Sequence, residues 1–186
     1  MWVLVSDHFA SIVQMAKTPS EYVEKAIICL LLLCVSLAPK KEISSHIFAT
    51  FELFLKLSPP VATAMSESII IAVSQFLKTN RDSIPSGEAW KIILELVERS
   101  ANFPLAYQRG FQSLVNLLEP KQSSPRSARS PIFNEQAFRP YLCAILAYVN
   151  INEGRKQNRA NQPPQPILSA TGNNQAISIR AMNLLY

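Results

Sequence analysis

The sequence predicts an all-α protein built as an irregular stack of antiparallel helix pairs, similar to HEAT or armadillo repeats. Three observations support this fold class. The 186 residues include 4 glycines, the 13 prolines separate apolar segments, and no segment shows the alternating pattern of a long strand. Apolar residues make up 48% of the chain, which is enough to form a substantial core.

The most apolar segment, residues 20–39, predicts the central helix of this stack. Residues 26–38 carry no charge and Ser36 is their only polar side chain, so we expect other helices to surround them. This run of 13 residues is shorter than the roughly 20 that cross a bilayer. A buried helix is therefore favoured over a membrane span, and Thr18 is its predicted N-cap, followed by proline at the first helical position.

Helical spacing of apolar residues predicts seven further helices. They cover residues 2–16, 40–56, 59–79, 87–100, a segment from Pro104, 134–151, and 174–186. Ser58 and Ser86 are predicted N-caps of two of them, and Trp90 is expected in the core. Gly110 lies inside a predicted helix at a cost of about 1 kcal/mol relative to alanine, which indicates that another helix approaches closely there.

Two segments without helical periodicity divide the chain. The predicted organisation is a helical-repeat region at 1–119, a basic Ser/Pro linker at 120–133, a helix at 134–151, a basic Pro/Gln linker at 152–173, and the start of a further helix at 174–186. Through residue 119 the chain has 10 basic and 11 acidic residues, and after it 8 basic and 2 acidic. The basic last third is either a solvated linker or a surface for an anionic partner. The last helix has no cap, so we expect the chain to be a fragment of a larger protein.

No motif for catalysis, a cofactor or a metal is recognisable in the sequence. It has no glycine-rich phosphate loop, no His-Glu-x-x-His and no nucleophile elbow, and its cysteines (Cys29, Cys34 and Cys143) lack metal spacing and are predicted to be buried thiols. His8 has no second ligand at metal spacing. Nucleic-acid binding is disfavoured because the basic residues lie in proline-rich segments with few aromatics. We therefore expect no enzyme activity, no cofactor, no metal and no nucleic-acid partner.

Several motifs in one order carry a family resemblance. They are Tyr22-Val23-Glu24-Lys25-Ala26, Glu42-Ile43, Leu57-Ser58-Pro59-x-Val61, Leu77-Lys78-Thr79-Asn80-x3-Ile84-Pro85-Ser86-Gly87-x2-Trp90, Pro104-x-Ala106-x3-Gly110-Phe111-x2-Leu114, Phe138-x2-Tyr141-x-Cys143 and Ser178-Ile179-Arg180-Ala181-Met182-x-Leu184-Leu185. This series resembles the helical regions downstream of the Sec-seven catalytic domain in large Golgi-type Arf guanine-nucleotide exchange factors, the brefeldin A-resistance, Gea or GNOM-like group. It covers the first downstream region and the opening of the second.

The resemblance implies a regulatory role without exchange activity, since the catalytic motif of the exchange domain is absent here. It implies a cytoplasmic protein, peripheral on Golgi and early secretory membranes, that acts in vesicle trafficking. Its implied partners are other domains of the same exchange factor, small GTPases of the Arf or Rab families, and anionic phospholipid. The alternative hypothesis is a HEAT-like scaffold that binds a GTPase or neighbouring domains without touching lipid.

Candidate site residues follow from the membrane hypothesis. In this hypothesis the first predicted helix supplies apolar wedges, although packing of its apolar stripe on the next helix is the favoured alternative. The two linkers supply positive charge, each basic residue contributing about 1 kcal/mol near an anionic bilayer. The candidate membrane contacts are Trp2, Val5, Phe9, Arg126, Arg129, Arg155, Lys156 and Arg159. Three serines beside arginine or proline, Ser124, Ser127 and Ser130, are candidate phosphorylation sites, with an exposed polar linker as the alternative reading of that segment.

Overall fold

The computed structural model describes residues 2–118, 135–159 and 170–184 of the chain. These ranges contain helices and no strand, which confirms the predicted all-α stack. The helices are α1 (Trp2–Met15), α2 (Glu21–Leu37), α3 (Ser44–Leu55), α4 (Pro59–Asn80), α5 (Gly87–Ser100), α6 (Pro104–Leu118), α7 (Glu135–Arg159) and α8 (Ala170–Asn183). Two short 3₁₀ turns, Lys41–Ile43 and Arg81–Ser83, precede α3 and follow α4.

Each helix packs mainly against the next helix or the one after it, which is the contact pattern of a stack of repeats. Helix α2 packs on α1 and α4, α3 on α5, α4 on α6, α5 on α7, and α7 on α8. An aromatic cluster connects α3 to α4, where the Phe51 and Phe76 rings meet edge to face with centroids 5.1 Å apart. The core therefore runs continuously along the stack.

Helix α2 is central, but it is covered on one side. Its buried stripe runs from Val23 to Cys34, whereas Leu32 on the opposite side is 62% exposed. The expectation that other helices surround the whole apolar segment is therefore wrong. Apolar residues occupy more of the helix circumference than the buried stripe does, so Leu32 remains at the surface.

The N-cap of α2 is Ser20, and the prediction of Thr18 is wrong. The Ser20 hydroxyl oxygen accepts a hydrogen bond from the Val23 amide at 3.4 Å, and the helix begins at the next residue. This start places Glu21 and Glu24 in the first turn, where the helix dipole favours negative charge. The helix therefore starts two residues later than a Thr18 cap would place it.

The two other predicted caps behave differently. Ser86 caps α5 as expected, because its hydroxyl oxygen accepts a hydrogen bond from the Ala89 amide at 3.2 Å. Ser58 occupies the N-cap position of α4, but its side chain makes no cap hydrogen bond. Its hydroxyl instead lies 3.2 Å from the Ala16 carbonyl and 3.0 Å from the Lys17 carbonyl, just after α1.

The boundaries of the last two helices differ from the predicted ones. Helix α7 continues to Arg159 and α8 begins at Ala170, so both ends of the predicted linker at 152–173 are helical. Residues 152–159 contain no proline and are rich in Glu, Arg, Lys and Gln, which are good helix formers. The segments 119–134 and 160–169 lie outside the described residues.

One helix in the described ranges meets the length and composition criterion for a membrane span. It covers residues 59–83 with a hydropathy of 1.3, and 44% of its 18-residue apolar window is buried inside the protein. Core helices of globular proteins satisfy the same criterion. Here the buried side chains of α4 pack on α2 and α6.

Candidate membrane interface

Helix α1 packs on the stack through one face. Val13 and Ser6 are buried, and Phe9, Ala10 and Ile12 are partly buried against the core. The buried Ser6 hydroxyl is satisfied because it donates to the Val3 carbonyl at 3.0 Å. The helix contacts α2 and α3 along this face, so it is docked and not free.

The opposite side of α1 exposes large apolar side chains. Leu4 is 75% exposed and Met15 is 74% exposed. The two residues are eleven positions apart, which is close to three helical turns, so they share one face of the helix. Two exposed polar residues, His8 and Ser11, lie between them on that face, and the exposed Lys17 follows the helix end. This outer face of α1, defined by Leu4 and Met15, is the apolar surface nearest to the predicted wedge residues.

The outer face was not identified from the sequence. The spacing of Leu4 and Met15 was the available signal, but the stripe that includes Phe9 and Val13 contains more apolar residues and was the stronger signal. In the structure that stripe is the packing face, and Phe9 is partly buried against the core. Val5 is 39% exposed at the edge of the stripe. Trp2 is the first residue of α1, and its side chain lies outside the described residues.

The predicted basic contacts lie far along the chain. Arg155, Lys156 and Arg159 belong to the last turns of α7, and their side chains lie outside the described residues. Arg126 and Arg129 fall within 119–134, also outside, as do the candidate phosphorylation sites Ser124, Ser127 and Ser130. The roles of all these residues stay predictions.

A groove between α5 and the start of α7 is a second candidate surface. Its volume is about 950 Å³, and the exposed side of α5 and the first turns of α7 line it. Glu88 lies 4.0 Å from Lys91, and Glu95 lies 3.2 Å from Arg99. Burial raises the pKa of the Glu98 carboxyl, repulsion from Glu95 raises it further, and Arg99 partly offsets both. The groove therefore contains one carboxylate that would gain from a cationic neighbour.

The prediction that all three cysteines are buried is wrong. Cys34 is fully buried, and burial raises the pKa of its thiol to about 12, so it is an unreactive core residue. Cys29 is half-buried, and Cys143 is exposed on the groove side of α7. No group of three potential metal-binding side chains occurs in the part of the chain that the structure describes.

The chain is similar in sequence to two plant proteins. It is 35% identical over 115 residues to the ARF guanine-nucleotide exchange factor GNL1 of Arabidopsis thaliana, and 36% identical over 115 residues to the exchange factor GNOM of the same plant. The match covers 61% of this chain in each case. Over these 115 residues the chain is similar to ARF guanine-nucleotide exchange factors. No protein-family model matches it, and no solved structure matches it.

The match is to a small part of these exchange factors. The chain spans 8% of the length of each relative, so the activity and the partners of the whole relatives do not transfer to it directly. The comparison supports the family resemblance drawn from the motifs at the level of ARF exchange factors.

Proposed function

We propose that this chain is a non-catalytic regulatory and membrane-recruiting module of a large Golgi-type ARF guanine-nucleotide exchange factor. It corresponds to the helical region downstream of the exchange domain, the first homology region and the start of the second. The module works in the cytoplasm, on the surface of Golgi and early secretory membranes. The relatedness to exchange factors, together with the absence of a recognisable catalytic motif in the sequence, supports this assignment.

The observation that carries the membrane part of the proposal is the outer face of α1. Leu4 and Met15 expose apolar side chains on one side of a helix whose other side is docked on the core. Burying apolar area in a bilayer is favourable by about 25 cal/mol per Å². A rigid helix stack therefore presents this face to the interfacial region without unfolding.

Positive charge supplies the second contribution to membrane attachment. The basic residues after position 119, including Arg126, Arg129, Arg155, Lys156 and Arg159, each add about 1 kcal/mol near an anionic surface. That attraction is screened within about 10 Å at 0.1 M salt. Membrane attachment in this proposal is consequently weak, reversible and sensitive to salt.

Flotation with liposomes tests the proposal. The purified chain should float with anionic vesicles at low salt, less at high salt, and poorly with neutral vesicles. Leu4→Asp and Met15→Asp place charges on the outer face without entering the core, and the double variant should lose flotation. Phe9→Asp is a poorer test, since Phe9 contacts the core and its replacement would disturb folding.

The matched control is Leu105→Asp, compared with Leu4→Asp. Leu105 is 72% exposed on α6, so both changes place a charge at an exposed leucine. Flotation should survive in the Leu105 variant and fall in the Leu4 variant. Equal flotation of a folded Leu4/Met15 double variant and the wild type would remove α1 from the membrane contact.

The alternative function is a protein-interaction scaffold, and the α5–α7 groove favours it. A groove of about 950 Å³ is large enough to seat a segment of a partner protein or of a neighbouring domain. Calorimetry with purified Arf- and Rab-family GTPases distinguishes the two functions. Binding that persists at high salt, in a chain that never floats, would favour the scaffold. Nucleotide exchange by the purified chain would contradict both non-catalytic functions.

A further inference from the structure

A separate cavity of about 330 Å³ lies where α3, α4 and α5 meet. Its floor consists of buried side chains, chiefly Phe54, Ile69, Ile70 and Leu96. This volume equals that of roughly ten waters at about 30 Å³ each. The cavity is partly open to solvent, so a small molecule can enter it from the surface.

Two small residues on α4 create the space. Ala62 and Ser66, one turn apart, face the cavity where larger side chains would fill it. The hydroxyl of Ser66 is used internally, because it donates to the Thr63 carbonyl at 2.9 Å. Ser100 also lines the cavity, and its hydroxyl lies 2.7 Å from the Val97 carbonyl. Both hydroxyls therefore have a partner within the protein, and most of the other lining side chains are apolar, which suits an apolar ligand.

The mouth of the cavity is polar and contains one arginine. Among the lining residues, Pro59, Arg99 and Asn102 are exposed. The Arg99 guanidinium contacts the Leu55 carbonyl and, at 3.2 Å, the Glu95 carboxylate. A guanidinium has five N–H donors, so these two contacts leave donors for a second carboxylate. The exposed ion pair with Glu95 is weak enough to be shared.

An apolar interior with an arginine at the mouth complements a ligand that has an acyl chain and a carboxylate. We propose that the cavity binds a medium-chain fatty acid, with the acyl chain against Phe54, Ile70 and Leu96 and the carboxylate at Arg99. A polar ligand of the same size would lose hydrogen bonds in the interior. An uncharged alkane would gain nothing from the arginine. This site is distinct from the outer face of α1 and independent of vesicle binding.

Calorimetry with monomeric decanoate tests the assignment. The wild-type chain should bind decanoate saturably with one site, and decanol should bind more weakly because it carries no charge. Ala62→Leu and Ser66→Leu fill the cavity, and each should weaken binding about tenfold or more, because several methylenes lose their apolar contacts. Both variants should keep or raise the melting temperature, since filling a void is commonly stabilising.

Ala64→Leu is the matched control, because Ala64 is exposed on the same helix and does not line the cavity. It should bind decanoate like the wild type, as should the Leu4/Met15 double variant that tests α1. Arg99→Gln, checked for an unchanged melting temperature, should reduce the preference for decanoate over decanol.

Three results would overturn the assignment. They are the absence of saturable binding to the wild type, equal affinities of the Ala62 and Ala64 variants, and unspecific binding with many sites. If the cavity variants lose vesicle flotation while the wild type ignores decanoate, the acyl chain comes from a bilayer lipid and the fatty-acid assignment fails.

Discussion

The hydroxyl groups of Ser100 on α5 and Tyr148 on α7 lie 2.5 Å apart, directly against Gly110 of α6. Both hydroxyls are also within hydrogen-bond distance of the Val97 carbonyl, at 2.7 Å and 2.9 Å. A Cβ atom added to Gly110 would overlap the oxygens of both side chains. This contact confirms the prediction that Gly110 marks the close approach of another helix, and it joins three helices at one buried polar point.

Gly110→Ala should destabilise the protein, although alanine is the better helix former by about 1 kcal/mol. The methyl group has no space between Ser100 and Tyr148, and overpacking of this kind costs typically about 1–3 kcal/mol. We expect a net loss of up to about 2 kcal/mol in the free energy of unfolding, measured by urea titration. Gln108→Ala, at an exposed position on the same helix, is the control and should be nearly neutral. A Gly110 variant as stable as the wild type would contradict the packing described here.

Tyr148→Phe should lower stability by about 1–2 kcal/mol, because it leaves the buried Ser100 hydroxyl and Val97 carbonyl with one partner fewer. Tyr22→Phe, at a residue 81% exposed, should have no effect. Burial raises the pKa of Tyr148 above its ordinary value of 10.0. The unfolded chain therefore ionises first, and wild-type stability should fall as the pH rises above 10.

The alkaline loss should be smaller in the Tyr148→Phe variant, since it lacks the group that resists ionisation. Part of the loss should remain, because burial also raises the pKa of Tyr141, to about 12. Urea midpoints at pH 8 and pH 11 for both chains measure the difference. An equal loss of stability between pH 8 and pH 11 in the two proteins would show that ionisation of Tyr148 does not cause it.

The fold class and most helix positions could be predicted from the sequence, because apolar spacing and proline joints act locally. The exact start of α2 could not, since Thr18 and Ser20 are both competent caps and the structure has Ser20. The end of α7 was also missed. A basic, polar composition suggested a linker, although residues 152–159 lack the proline that would stop a helix.

The candidate surfaces were harder to predict than the helices. Leu4 and Phe9 have similar apolar character, and only the packing of α1 on α2 and α3 shows which of them faces solvent. The same limit applies to α7, where Phe138 is a large apolar residue but is 53% exposed. Small residues such as Ala137 and Ala144 are buried on α7 instead, because close helix packing requires them and hydrophobicity alone does not reveal it.

Glu98→Gln should stabilise the protein at neutral pH. Burial and repulsion from Glu95 raise the pKa of this carboxyl above its ordinary 4.5, so the folded state disfavours the ionised form. Wild-type stability should therefore fall as the pH rises from 4.5 through the raised pKa. The glutamine variant lacks this loss.

Urea midpoints at pH 4 and pH 7 test whether ionisation of Glu98 destabilises the folded protein. The advantage of the Glu98→Gln variant should be present at pH 7 and absent at pH 4, where both states of the wild type are protonated. Glu67→Gln changes an exposed glutamate on α4 and should show no such pH dependence. A glutamine variant less stable at pH 7 would mean that a cation, rather than burial, dominates the Glu98 environment.

Ser58→Ala should loosen α1 from the stack. The hydroxyl of Ser58, at the start of α4, is within donating distance of the carbonyls of Ala16 and Lys17, and it thereby holds the end of α1. Losing these bonds should cost about 1 kcal/mol of local stability, and hydrogen exchange should show faster amide exchange in α1 with α5 and α6 unchanged. Ser86→Ala is the contrasting variant, because it removes the α5 cap and costs about 1 kcal/mol. In this variant, amide exchange in α1 should become faster only by the amount that the loss of global stability explains. Unchanged exchange in α1 of the Ser58 variant would show that apolar contacts through Val13 alone keep the helix docked.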